Sequence, residues 1–238
     1  MNINAIRTHR IEPHESLASI VQQYIPVLPE KSIVAITSKI VSLCEGRIRD
    51  QLHITKSALI AEEADQVLRT TPSGFALTLK AHRFIPSAGI DESNGDGIYI
   101  LHPADSQHTA ATLWATLRTH YQIAHLGILI TDSQVTPLRR GVTGIGLGWC
   151  GFRPLYSYEG KPDLYGKPFR VTQVNLLDAL ATAAVLVMGE GAEQTPLAVI
   201  HQAPHIDFLT RTPTPEEEAS VVISPEEDLF SINSQHIG

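Results

Sequence analysis

Cysteine is scarce. The 238 residues hold two, Cys44 and Cys150, far apart and without a second member for a CxxC pair, so nothing points to a disulfide framework or a cysteine zinc site. Long apolar runs are missing as well: none approaches the roughly 20 residues a spanning helix needs. The opening MNINAIRTHRIEP lacks the apolar core of a signal peptide, so a cytoplasmic protein is the expectation. Basic charge is in deficit, 18 Lys and Arg against 25 Asp and Glu, which is unpromising for a nucleic-acid binder. Most of the acidic excess lies from Arg211 onward, where that single arginine is outnumbered by Glu216, Glu217, Glu218, Glu226, Glu227 and Asp228.

What is there is ordinary globular material. Hydrophobic residues are 43% and charged residues 18%, which argues against a disordered or fibrous chain, and the length supports one sizeable core. Apolar spacing predicts helices over 15–24, 57–69, 106–121 and 175–188. Short β-branched runs predict strands at Ser32 to Thr37, Phe75 to Ala81, Ile98 to Leu101, Leu126 to Thr131 and Pro196 to Ile200, with 82–97 as loop. Residues 141–166 carry seven of the sixteen glycines, which suits bulged strands and tight turns. Thr214-Pro215-Glu216-Glu217 and Ser224-Pro225-Glu226-Glu227 both read as helix starts. The elements are interspersed without a clean βαβ rhythm, so the expected class is mixed α/β (α+β). A single catalytic unit over 1–210 and an acidic tail over 211–238, with short docked helices, is the expected organisation.

Two motifs are decoys. Gly146-Leu147-Gly148-Trp149-Cys150-Gly151 satisfies GxGxxG, but Phe152-Arg153-Pro154 follows where the dinucleotide fingerprint needs a helix to open. A glycine-bearing strand or bulge is the better reading. His201 and His205 have the spacing of a helical metal pair, yet Pro204 between them disfavours the helix.

Three carboxylates stand at the ends of apolar segments beside glycines: Asp91 in AGIDESNGDG, Asp132 in ILITDS and Glu190 in VMGEG. Hard cations such as magnesium or manganese take oxygen ligands of this kind. Each residue taken alone could instead cap a turn or a helix, or stand as a solvated end. Lys39 after a strand, Arg47 in EGR and the pair Arg139-Arg140 add cationic groups suited to phosphate. Neither cysteine has a neighbouring histidine and no GxSxG occurs, so no nucleophile dyad is visible. These patterns point to a metal-dependent, nucleotide-using enzyme.

In chain order, SKIVSLCEGR, SAGIDESNGDG, ILITDS with TPLRRGVTGIGLG, GKPDLYGKPFRVT and ATAAVLVMGEGAEQTPLAVI resemble the successive motifs of the gamma-glutamyl ligase family. The founding member of that family adds glutamate to the deazaflavin coenzyme factor 420. The chain resembles most the branch proposed for folate metabolism. The resemblance implies a nucleotide-driven acid–amino-acid ligase using GTP or ATP, with Mg2+ or Mn2+, K+ and an intertwined homodimer. It also implies metal ligands at Asp91, Asp132, Ser133 and Glu190. Ser38, Lys39, Asn94, Gly189 and Gly191 would hold the nucleotide, and Lys39, Arg139 and Arg140 would act on the transferring phosphate.

Some positions depart from the coenzyme ligases. Leu43 stands where they carry a second lysine, TDSQVTPLRR replaces TDTxGRPWR, and RTHRIEP replaces a GLP pattern. These departures favour a folate-type acceptor for L-glutamate, with the deazaflavin coenzyme as the alternative. A third reading is a non-catalytic nucleotide- or metabolite-binding protein on the same scaffold.

Overall fold

The computed structural model describes residues 1–72, 74–224 and 226–229. In chain order it contains β1 (Asn2–Ile6), α1 (Leu17–Tyr24), β2 (Ser32–Thr37), α2 (Ser38–Cys44), β3 (Ile48–Asp50) and α3 (Lys56–Glu63). Then come β4 (Gln66–Thr70), β5 (Ala76–Lys80), β6 (Arg83–Pro86), β7 (Ile98–Ile100), α4 (Ser106–Tyr121), β8 (Leu126–Val135) and β9 (Val142–Cys150). The last elements are β10 (Leu155–Ser157), β11 (Gln173–Asn175), α5 (Leu176–Met188), β12 (Leu197–His201) and α6 (Pro215–Ala219).

A five-stranded sheet of order β1-β12-β2-β8-β9 organises the chain; within it only β2 and β8 run parallel. Alternation along β2 explains why it is apolar throughout. Val34 and Ile36 join Ile20, Val21, Leu113, Trp114 and Leu117 of α1 and α4 on one face. Ile33 and Ala35 meet Leu177, Leu180, Ala181 and Ala184 of α5 on the other. A sheet covered on both faces needs such continuous apolar strands. The result is the expected mixed α/β architecture.

The GxGxxG segment lies in β9, as the strand reading expects. The register with β8 shifts between Ile130 and Thr131, across Gly146 and Gly148. The glycines admit close helix packing. A Cβ on Gly144 would collide with the backbone of Ala181 and Thr182 in α5, and one on Gly148 with the backbone of Ser106 and Gln107 in α4. The free edge of β9 is closed by side chains: Gly146 N–H donates to Asp178, Arg83 donates to the Leu147 carbonyl, and Gln107 bonds both backbone groups of Trp149.

A smaller lobe of β3 with β7, β4-β5-β6 and α3 has its own cluster of Leu59, Ile60, Ala76, Ala88, Ile90, Tyr99 and Leu101. Several local expectations change here. The helix expected over 57–69 stops at Glu63 and gives way to β4, because Ala64 is extended and Gln66–Thr70 pairs with β5. The stretch 82–97 is not all loop, since Arg83–Pro86 pairs with β5. Asp105, not Ser106, caps α4 by accepting from His108 N–H. β1 had no sequence prediction; it is a strand because it pairs with β12.

The first of the two expected tail helices is α6. Thr214 and Glu217 form a capping box with Pro215 at the first helical position. Part of the second expected start, Pro225, lies outside the described residues.

Candidate functional site

The site forms where the sheet, the smaller lobe and α5 meet. β2 runs directly into α2, so Ser38 and Lys39 stand at the end of a buried strand, and parallel β8 brings Asp132 and Ser133 to the same end. The smaller lobe contributes Asp91 through a turn in which Ser87, Ala88 and Gly89 all have positive φ (52, 53 and 74°). Such backbone costs roughly 1 kcal/mol or more for a non-glycine residue. Buried Thr78 supports it, accepting from Ala88 N–H and donating to the Ile85 carbonyl.

These pieces border a cavity of about 260 Å3 lined by Ser38, Lys39, Asp91, His102, Asp132 and Ser133, among others. Lys39 Nζ lies 2.7 Å from Asp91 Oδ2 and also donates to Ser93 Oγ at 2.9 Å. Burial alone would raise the Asp91 carboxyl. The bond and charge of Lys39, with two bonds from Ser93, nevertheless hold it below its ordinary value. Asp132 Oδ2 accepts from His102 Nε2 at 2.6 Å, and Oδ1 accepts from Ser133 N–H at 2.9 Å.

Glu190 follows α5 on the turn Gly189-Glu190-Gly191. Asn94 Nδ2 donates to the Gly191 carbonyl at 3.2 Å, joining that turn to the Asp91 loop. Desolvation and the negative charges of Asp132 and Asp91 push the Glu190 carboxyl above its ordinary value, against a hydrogen bond from Ser133 and the attraction of Lys39. Three carboxylates so close together call for positive charge. Their oxygen-only donor set, with the Ser133 hydroxyl, fits a hard divalent cation by its chemistry. In this conformation Asp91 is engaged by Lys39 and Asp132 by His102. Among the described residues no three acidic, histidine or cysteine side chains converge on one point.

Thus the structure gathers Ser38, Lys39, Asp91, Asp132, Ser133 and Glu190, with Asn94 and Gly191 on the adjoining turn. Arg139 and Arg140 stand apart, exposed in the turn between β8 and β9, and neither lines the cavity. Arg47 is not free for phosphate: it grips both oxygens of Glu63 at 2.9 and 2.8 Å and donates to the His102 carbonyl. His102 and Ser93 were missed in the sequence, because a lone histidine after a strand and a serine inside a turn carry no spacing signal. Burial pushes both cysteine thiols up to about 12, in keeping with the absence of a nucleophile dyad. His201 bonds Ser32 and His205 stacks on Tyr156.

Comparison with known proteins decides the family. The model of the F420-0:gamma-glutamyl ligase family matches residues 5–202. The chain belongs to that family. It is accordingly an acid–amino-acid ligase. The coenzyme F420:L-glutamate ligase of Methanopyrus kandleri is 31% identical over 239 aligned positions, covering 93% of each chain. The ligases of the same name from Methanothermobacter thermautotrophicus and Methanosarcina barkeri are 33% and 32% identical, covering 74% and 73% of this chain and 77% and 74% of theirs. The names of these gamma-glutamyl ligases point to the deazaflavin coenzyme rather than to folate, so the comparisons favour the alternative acceptor over the leading one. The family match ends before α6, which docks instead through Glu217 to Arg153 and Arg211.

Proposed function

We propose that this chain is a GTP-dependent ligase that joins L-glutamate to the carboxylate of a deazaflavin F420-0-type acceptor. The carrying observation is that Lys39, Asp91 and Asp132 line one cavity with Glu190 within electrostatic reach of all three, in a chain whose relatives are coenzyme F420:L-glutamate ligases.

An acceptor carboxylate attacks the terminal phosphorus of the nucleotide and the nucleoside diphosphate leaves. The glutamate amine then attacks the resulting acyl phosphate, expelling phosphate and giving up a proton as the amide forms. Neither step needs a protein nucleophile. Lys39 would exchange Asp91 for the transferring phosphoryl group and balance the charge that develops there. Ser38, Asn94 and the Gly189 to Gly191 turn would border the nucleotide. Asp91, Asp132, Ser133 and Glu190 would hold Mg2+ or Mn2+, which when bound neutralises phosphate charge. K+ remains an expectation of the family resemblance, with no residue assigned to it. The turn that carries Arg139 and Arg140 begins about 10 Å beyond Asp132, at the end of β8, so a role on phosphate requires that hairpin to fold back or a second chain to receive it.

A homodimer completes the proposal. The outer side of α5 leaves Leu186 82% exposed, and the hairpin leaves Leu138 fully exposed with Val135 and Val142 half-exposed, apolar side chains that a second copy would cover. Light scattering should return twice the chain mass of 26.0 kDa; a monomer at micromolar concentration contradicts this part.

The acceptor is tested by incubating the protein with Mn2+, K+, GTP and glutamate and either F420-0 or tetrahydrofolate. A mass gain of one glutamate on F420-0 is expected. Gain on tetrahydrofolate alone would restore the folate reading, and nucleotide binding without any product would favour the non-catalytic one.

A further inference from the structure

We propose that His102 is a positioning residue that fixes the carboxylate of Asp132 at the cation and phosphate site. The inference rests on the reading of Asp132 as a metal ligand. His102 Nε2 lies 2.6 Å from Asp132 Oδ2, and the ring is only 12% exposed. Because the Ser133 amide bonds the other oxygen, both ends of the carboxylate are tied and its rotation is stopped. A carboxylate has about four acceptor positions, so two bonds leave the remainder for a ligand.

His102 is itself gripped from several sides. Its ring packs on Gly89, where a Cβ would collide with the imidazole. Its carbonyl accepts from Arg47 Nε at 3.2 Å, and Arg47 is forked onto Glu63, which also takes Lys80 at 2.7 Å. Two residues on, Ala104 N–H donates to Glu45 Oε2, whose other oxygen accepts from Thr109 Oγ. A run of contacts therefore passes from α3 and β5 of the smaller lobe through Arg47 and His102 to Asp132 on the central sheet. That is more support than a histidine needs merely to fill space. Hydrogen bonds of this kind orient ligating carboxylates, and their loss typically costs about 10- to 100-fold in metal affinity.

The test is Mn2+ binding to the full chain, read from the electron paramagnetic resonance of free Mn2+ with and without GTP. Thermal midpoints check that each variant is folded. H102L should weaken Mn2+ binding about 10- to 100-fold at an unchanged midpoint, while H102Q, which keeps an N–H donor, should recover most of it. D132N should remove the binding. Wild-type affinity in H102L, with binding lost in D132N, would overturn the positioning role alone. H102Q no better than H102L would overturn its hydrogen-bond basis. If D132N binds Mn2+ normally, or the wild type binds none, the metal reading falls and the positioning role with it. Should H102L not fold, H102N takes its place, being polar but too short to reach Asp132.

Discussion

At the scale of single residues the site is an electrostatic arrangement held in check. Lys39 neutralises Asp91, His102 engages Asp132, and Glu190 is left among like charges with a raised carboxyl. Among the described residues Lys39 is the one ammonium lining the cavity, so its loss should be felt in the chemical step. K39A is expected to lower turnover by about 10²- to 10³-fold, the range seen when one preorganised donor to a developing charge is removed. Its thermal midpoint should stay within a few degrees of wild type, because Lys39 is partly solvated and an exposed pair contributes only about 0–1 kcal/mol. Steady-state kinetics beside a melting curve would check both halves. A large fall in stability with unchanged turnover would make Lys39 a structural residue.

At the scale of elements the account depends on close contacts that glycine permits. G144A is the sharpest probe, because the added methyl meets the backbone of α5 and not a side chain that can swing away. A loss of roughly 1–3 kcal/mol in urea unfolding is expected, as for other overpacked sites. G146A meets the side chain of Leu177, which can adjust, and should cost less. The α6 strap has a pH signature. Bonds from Arg211 and from Thr214 N–H, together with the charge of Arg153, hold the Glu217 carboxyl down at about 2 against an ordinary 4.5. Its contribution is therefore full above pH 4.5 and fades as pH falls through about 2. Limited proteolysis should find residues 212–219 newly cleavable in that window while the sheet stays folded; protection down to about pH 2 would contradict it.

Much of this layer was legible in the sequence. Strands β2 and β8 and helices α4 and α5 have strong apolar patterning, and tertiary contacts agreed with it. β1 and β4 were not legible, because an exposed strand such as Gln66–Thr70 has no buried face to pattern it and is extended only through its partner. The same holds in the site. Asp91, Asp132 and Glu190 advertise themselves as lone acids beside glycines, whereas His102 gains meaning only when the smaller lobe folds against β8.

At the scale of the whole molecule, no single element carries the site. The central sheet with α2 supplies Asp132 and Lys39 and the smaller lobe Asp91 and His102, which together line the cavity, while the turn after α5 brings Glu190 within electrostatic reach of them. The family match over 5–202 includes all of these residues. The central claim is that this assembly makes an amide by moving a phosphoryl group onto the acceptor carboxylate. The most direct measurement uses F420-0 labelled with 18O in that carboxylate, with GTP, glutamate and Mn2+, and follows both the product and the released phosphate by mass spectrometry. The account predicts one 18O atom in phosphate for each glutamate added; glutamate addition without transfer of label, or label transfer with no amide formed, would contradict it.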